Sequence, residues 1–194
     1  NIGFERTEDQ SFTVGYSRRL RRPRFWYLNP FESRSSQNVI YKGNPGLTPT
    51  FTNSFDLGYL QKIGKLTLNS SIYFQHSINS ILRVSRDEIR LLDGVNQVIT
   101  IREPINLASE DRFGFELTAN YNPSKKVRLS GSFNVFQQES KGLYAYNKFI
   151  IDEVTGAISA TPETQDLGNT NNSWFTRFNA TFSLPWKIQM QNRL

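Results

Sequence analysis

The chain has 194 residues, no cysteine, one histidine and a formal net charge of +6, with a mean hydropathy of −0.51. These values exclude a disulfide framework and a thiolate metal site; with no apolar run approaching ~18 residues, they also exclude a membrane-spanning helix. A transmembrane β-barrel stays open, because only alternate strand residues need face lipid there, and 15 Phe with 8 Tyr suit interfacial girdles.

Residues 1–4 read as the tail of a strand and residues 5–10 as a polar turn. Phe12, Val14 and Tyr16 then alternate with Thr13, Gly15 and Ser17, and a period of two predicts a strand with one apolar and one polar face at 11–20. Residues 21–50 form a long connection holding Pro23, Pro30, Pro45 and Pro49. At 51–61 the alternation returns, with Phe51, Phe55, Leu57 and Tyr59 opposed to Thr52, Ser54, Asp56 and Gly58. After a tight turn at 62–65, a strand at 66–78 sets Leu66, Leu68, Ile72, Phe74 and Ile78 against Thr67, Asn69, Ser71, Gln75 and Ser77.

A second long connection covers 80–111, and Asp93-Gly94 between β-prone runs is a two-residue hairpin signal inside it. Phe113, Phe115, Leu117, Ala119 and Tyr121 head the next strand, the turn at 122–126 is short, and Val127, Leu129, Phe133 and Val135 follow. The third long segment, 140–172, offers a hairpin turn at Thr155-Gly156. A strand at 173–184 presents Trp174, Phe178, Ala180, Phe182 and Leu184; Pro185-Trp186 turns the chain, and Ile188, Met190 and Leu194 begin a last strand.

Connections thus alternate long and short, as in outer-membrane barrels with long extracellular loops and short periplasmic turns. The strands run ~10–13 residues where the soluble mode is ~5–6. Their apolar faces carry no charge, whereas the opposite faces hold Asp56, Glu116, Arg128 and Arg177; a lipid-facing charge near the midplane costs ~2–4 kcal/mol and a lumenal one is tolerated. The reading is an all-β, antiparallel up-and-down meander forming part of a large transmembrane β-barrel, about seven strands over residues 1–194 and cut at both ends. The alternative is a soluble β-sandwich adhesin or carbohydrate-binding module.

Two stretches carry a family resemblance. Residues 43–59, GNPGLTPTFTNSFDLGY, and residues 16–31, YSRRLRRPRFWYLNPF, resemble the β-barrel portion of TonB-dependent outer-membrane receptors, within the outer membrane protein beta-barrel family of Gram-negative bacteria. The resemblance implies a barrel of about 22 strands with a plugged lumen, of which this chain would be about a third. It also implies that the export signal, the plug, the energy-coupling segment and the closing strand lie outside the chain; Leu194 is not the terminal aromatic on which such barrels end. The implied activity is nutrient uptake without catalysis, energised by the TonB inner-membrane complex through the plug. The ligand class (ferric siderophore, oligosaccharide, peptide or cobalamin) is unread.

Candidate residues each have two readings. His76 shares the lipid-facing parity of Phe74 and Ile78, which makes it an interfacial ring rather than half of a Ser-His pair, and no catalytic constellation, metal site or cofactor is expected. Glu110-Asp111 and Asp152-Glu153 read as solvated loop charges. The run Arg18, Arg19, Arg21, Arg22 and Arg24 lacks any accompanying nucleic-acid motif, so no nucleic-acid partner is expected. Given the resemblance, Arg18, Arg21, Arg22 and Arg24 lie at the outer rim, where guanidinium forks match lipopolysaccharide phosphates; the plain reading is solvated rim charge, and Arg19 has lumenal parity. The loop aromatics Trp26, Tyr27, Tyr144 and Tyr146 either meet a ligand or pack the loops together.

Overall fold

Eight strands form one antiparallel sheet in the computed structural model, which describes residues 1–92, 94–151, 155–183 and 189–193. They are β1 (Ile2–Thr7), β2 (Gln10–Arg21), β5 (Thr50–Ile63), β6 (Leu66–Ile78), β9 (Ser109–Ser124), β10 (Val127–Lys141), β13 (Asn169–Ser183) and β14 (Gln189–Arg193), each paired with the next in chain order. Between them lie a four-residue helix α1 (Phe25–Leu28), the short strands β3 (Ser33–Ser36) and β4 (Val39–Tyr41), and two hairpins. The hairpins are β7 (Ile81–Leu92) with β8 (Val95–Asn106), and β11 (Leu143–Ile151) with β12 (Ile158–Asp166). The count is one more than the sequence estimate of about seven, and the meander has the expected order.

Cross-strand register turns the alternation into rows. Val14 pairs with Leu57, Leu57 with Ile72, Ile72 with Phe115, Phe115 with Val135, and Val135 with Trp174. The adjoining row is aromatic, Tyr16, Phe55, Phe74 and Phe113, with the Tyr16 and Phe55 rings 5.0 Å apart. From Phe55 to Ile63 the apolar face rises roughly 21 Å at ~3.4 Å per residue and a tilt of ~40°, close to the ~25 Å apolar band of outer-membrane barrels. Val14 is 57% exposed, Leu57 52% and Trp174 69%. A sandwich would bury such a face under a second sheet; among the described residues nothing covers it.

The other face is polar and carries Asp56, Glu116 and Arg177, the last two paired with Asn134 and Ser132. Here Tyr73 lies over Gly114, whose missing Cβ would fall on the Tyr73 ring and on Phe136. The Tyr73 hydroxyl donates to Asn134 Oδ1 at 3.2 Å, so one side chain of β6 spans β9 and reaches β10. Only glycine leaves room for that ring.

Where the wall leaves the apolar band, the strands run longer than the alternation predicts. β9 begins at Ser109 and β10 ends at Lys141, and a polar row Arg18, Asn53, His76, Asp111, Glu139 crosses five strands. His76 keeps its outward parity, but its Nδ1 lies 2.5 Å from Asp111 Oδ1. Glu110 and Asp111 are therefore strand residues, opposite Ser77 and His76, which corrects their reading as loop charges. Polar residues continue the ladder through backbone hydrogen bonds after the apolar signal has stopped. Gly94 and Gly156 take φ of 79° and 66° at the two hairpin turns, as Asp93-Gly94 and Thr155-Gly156 predict. Asp93, the Asp152-Glu153 pair, Leu184, the Pro185-Trp186 turn, Ile188 and Leu194 lie outside the described residues.

Candidate functional site

The three long connections build a second layer at one end of the wall. The connection at 22–49 brings β3 and β4 alongside the β7–β8 hairpin in a four-stranded sheet of order β3-β4-β8-β7, with β4 and β8 parallel. Its apolar face closes on Ile40, Ile99 and Ile101, each at most 1% exposed.

Residues 43–50 fasten that layer to the wall. Gly43 packs against the backbone of Tyr27 and Asn29, where a Cβ would collide. The Asn44 amide donates to the Pro104 carbonyl at 3.3 Å, and its Oδ1 accepts the Gly46 N–H at 2.9 Å. Leu47 is buried, and Asn106 accepts the Thr48 N–H at 2.9 Å while donating to the Asn79 carbonyl at 2.8 Å. Close approach, turn chemistry, a buried leucine and a backbone bond account for Gly43, Asn44, Gly46, Leu47 and Thr48 of the GNPGLTPT run.

A charge network joins the three connections. Arg90 of β7 forks onto Glu32 with two N–H···O bonds of 2.7 Å and donates to Glu88 at 2.9 Å. Arg86 reaches Glu88 at 3.0 Å and Glu103 at 3.4 Å, and Tyr144 of β11 donates to Glu103 at 2.6 Å. The Arg90 bond holds the Glu32 carboxyl below its ordinary value. At Glu88 burial opposes the charge, but the bonds from Arg90 and Arg86 outweigh it and the carboxyl is lowered too. Burial first, and the Glu103 bond second, push the Tyr144 phenol up. Partly buried paired charges of this kind fix the relative placement of the elements that bear them.

The sequence-nominated residues separate into three places. Tyr144 is 7% exposed with its hydroxyl committed to Glu103. Tyr146 stacks on it at 5.4 Å and lines a groove of about 420 Å³ between the hairpins with Arg86, Asp87, Ile89, Val98 and Phe149. Trp26 and Tyr27 sit on α1, Trp26 exposed with Arg24 5.3 Å over its ring, and Tyr27 accepting Arg83 at 3.0 Å. Arg21, Arg22 and Arg24 gather with Tyr27 and Ile81 around a cavity of about 240 Å³. Arg18 stands apart, 5.3 Å over Phe51 on the outer face. The network residues Glu32, Arg86, Glu88, Arg90 and Glu103 escaped the sequence reading; the one available signal was the i, i+2 spacing of Arg86, Glu88 and Arg90, which puts three charges on one face of a strand. Among the described residues no group of three or more His, Cys, Asp or Glu could hold a metal ion.

A lipid-facing meander crowned by long interlocked connections matches the outer membrane protein beta-barrel family over residues 1–193. The chain belongs to that family. Membership places it in the outer membrane of Gram-negative bacteria. No curated protein sequence matches it. Among solved structures it is similar to the siderophore receptor PirA from Pseudomonas aeruginosa, at 13% identity and a TM-score of 0.56, over 98% of this chain and 36% of that one. PirA from Acinetobacter baumannii gives 11% identity and a TM-score of 0.54 over 98% and 35%. A point mutant of the ferric enterobactin receptor PfeA from Pseudomonas aeruginosa, in complex with enterobactin, gives 13% and 0.54 over 98% and 33%. The likeness is one of fold, and the chain spans about a third of the length of each.

Proposed function

We propose that this chain is part of the barrel wall and extracellular layer of a TonB-dependent receptor, a non-enzymatic importer of a small nutrient ligand. The observation that carries the reading is the pairing of an uncovered apolar face of barrel height with a packed, hydrogen-bonded loop layer at one end. The wall holds the passage, and the layer presents Trp26, Tyr27 and Tyr146 to a ligand, with Tyr144 behind as their support. The similar structures bind siderophores by their descriptions, which puts a ferric chelate ahead of oligosaccharide, peptide and cobalamin. TonB would act through a plug outside this chain.

The test is uptake by cells carrying the intact receptor, with ferric enterobactin, cobalamin, a maltooligosaccharide and a tripeptide as probes. Uptake of one of them, abolished by deleting either the receptor or TonB, is the expected result. Accumulation of that probe unchanged in the TonB-deficient strain would overturn the reading. The sandwich alternative predicts that the chain expressed alone is a detergent-free monomer.

A further inference from the structure

A cavity at the foot of the first long connection is lined mainly by arginines. Arg21, Arg22 and Arg24 line it with Tyr27 and Ile81, and no carboxylate is among those residues. Among the described residues none of the three arginines forms an ion pair. That contrasts with Arg86 and Arg90 in the same layer, which are fully engaged by Glu88, Glu103 and Glu32. The nearest acid along this connection, Glu32, is taken up by the Arg90 fork. Arg21, Arg22 and Arg24 are exposed, so water and salt screen much of their mutual repulsion, and a bound anion would remove what remains.

Tyr27 supplies the neutral wall. Its phenolic oxygen accepts from Arg83 at 3.0 Å, which leaves its own O–H to donate. Arg24 rests over the Trp26 ring at 5.3 Å, a contact that restrains its guanidinium without neutralising it. The volume, about 240 Å³, falls below the ~300–1,000 Å³ of small-molecule pockets; it suits one charged group rather than a whole nutrient. Guanidinium forks match the oxygens of a phosphate, where two or more can each donate in pairs.

We propose that Arg21, Arg22, Arg24 and Tyr27 form a phosphate-binding site that takes either the phosphate of an outer-leaflet lipid headgroup or a soluble phosphate. Arg18, on the lipid-facing side over Phe51, is not one of its ligands. The proposal rests on the outer-membrane placement; it shares Tyr27 with the aromatics proposed to meet the nutrient, so nutrient uptake is read in the arginine variant and not in Y27F.

The experiment uses the intact receptor purified in detergent and, separately, in phosphatidylcholine nanodiscs doped with lipid A. Retained lipid A is measured by mass spectrometry, and inorganic phosphate binding by calorimetry. The triple variant R21Q/R22Q/R24Q is expected to retain roughly tenfold less lipid A, or to bind inorganic phosphate roughly tenfold more weakly, since charge-assisted bonds of this kind are lost together. R18Q leaves both unchanged, and Y27F, which keeps the ring and loses one donor, weakens binding roughly threefold. R21K/R22K/R24K keeps the charge and part of the affinity, which separates recognition from misfolding. Loss of lipid A but no phosphate binding assigns the lipid source; phosphate binding without lipid A retention assigns the soluble source. Equal retention and equal phosphate binding in the triple variant would overturn the site, as would equal binding of dephosphorylated lipid A. Uptake of the nutrient by the triple variant stays at the unaltered level, so failure here and failure of the receptor reading are separable.

Discussion

The wall and the loop layer are both antiparallel β-structure, yet opposite rules hold them together. The wall is one sheet thick, and its apolar residues point outward to a solvent that is itself apolar, so it needs no core. Its stability comes from a ladder of backbone hydrogen bonds, interrupted only by register shifts near Thr7 and Leu129 among the described residues, which lipid forces every strand to satisfy, and from lumenal devices such as Tyr73 laid over Gly114. The loop layer faces water and must do what soluble proteins do. It buries Ile40, Ile99 and Ile101 and ties its edges with the chain of contacts from Glu32 to Tyr144. The contrast teaches that the surrounding solvent decides which side of a strand should be apolar.

Substitutions in the intact receptor can break or sharpen that contrast. The largest effect is expected in the layer, where Ile101→Ala removes the most buried side chain at a cost of about 2–5 kcal/mol. Hydrogen exchange should rise through β4, β7 and β8 while β5 and β6 stay protected; a uniform rise would mean that layer and wall unfold as one. Next comes Leu117→Arg in the middle of the outer face, expected to cost ~2–4 kcal/mol in urea unfolding from lipid, against little for Thr118→Arg on the lumenal face. Equal costs for the two would remove the inside–outside assignment.

Gly114→Ala tests the lumenal clasp. The added methyl meets the Tyr73 ring, and overpacking of this kind costs about 1–3 kcal/mol. The double variant with Tyr73→Ala should recover most of the loss; no recovery would show that the glycine serves something other than the ring. Tyr144→Phe should be smaller, about 1 kcal/mol for one hydrogen bond to Glu103, read as faster proteolysis of the β11–β12 hairpin with the wall unchanged.

The mildest effect is on pH. Glu32 and Glu88 are held below their ordinary value of 4.5 in the folded layer, so their contribution is complete above that value and lost as pH falls through the lowered folded ones. The layer should therefore loosen in acid, below about pH 4.5, before the wall does. Tyrosine-fluorescence or hydrogen-exchange titration showing the wall opening first would reverse the order.

The sequence by itself determined the wall. A side-chain period of two, sustained from Phe51 to Tyr59 and again from Leu66 to Ile78, fixes which residues share a face, and the alternation of long and short connections fixes which ends share a side. Both are local properties of a chain whose partner strands are its sequence neighbours. Strand ends beyond the apolar band were underestimated, because the backbone ladder through Asp111 and Glu139 does not require apolar alternation. Only the tertiary structure decided the loop layer. The parallel pairing of Ile40 with Ile101, the fork of Arg90 on Glu32 and the meeting of Ile81 with the Arg21–Tyr27 stretch join residues far apart in the chain. No periodicity records such contacts. They exist because the wall strands hold the feet of three long connections side by side, and burial and charge pairing then settle which residues meet.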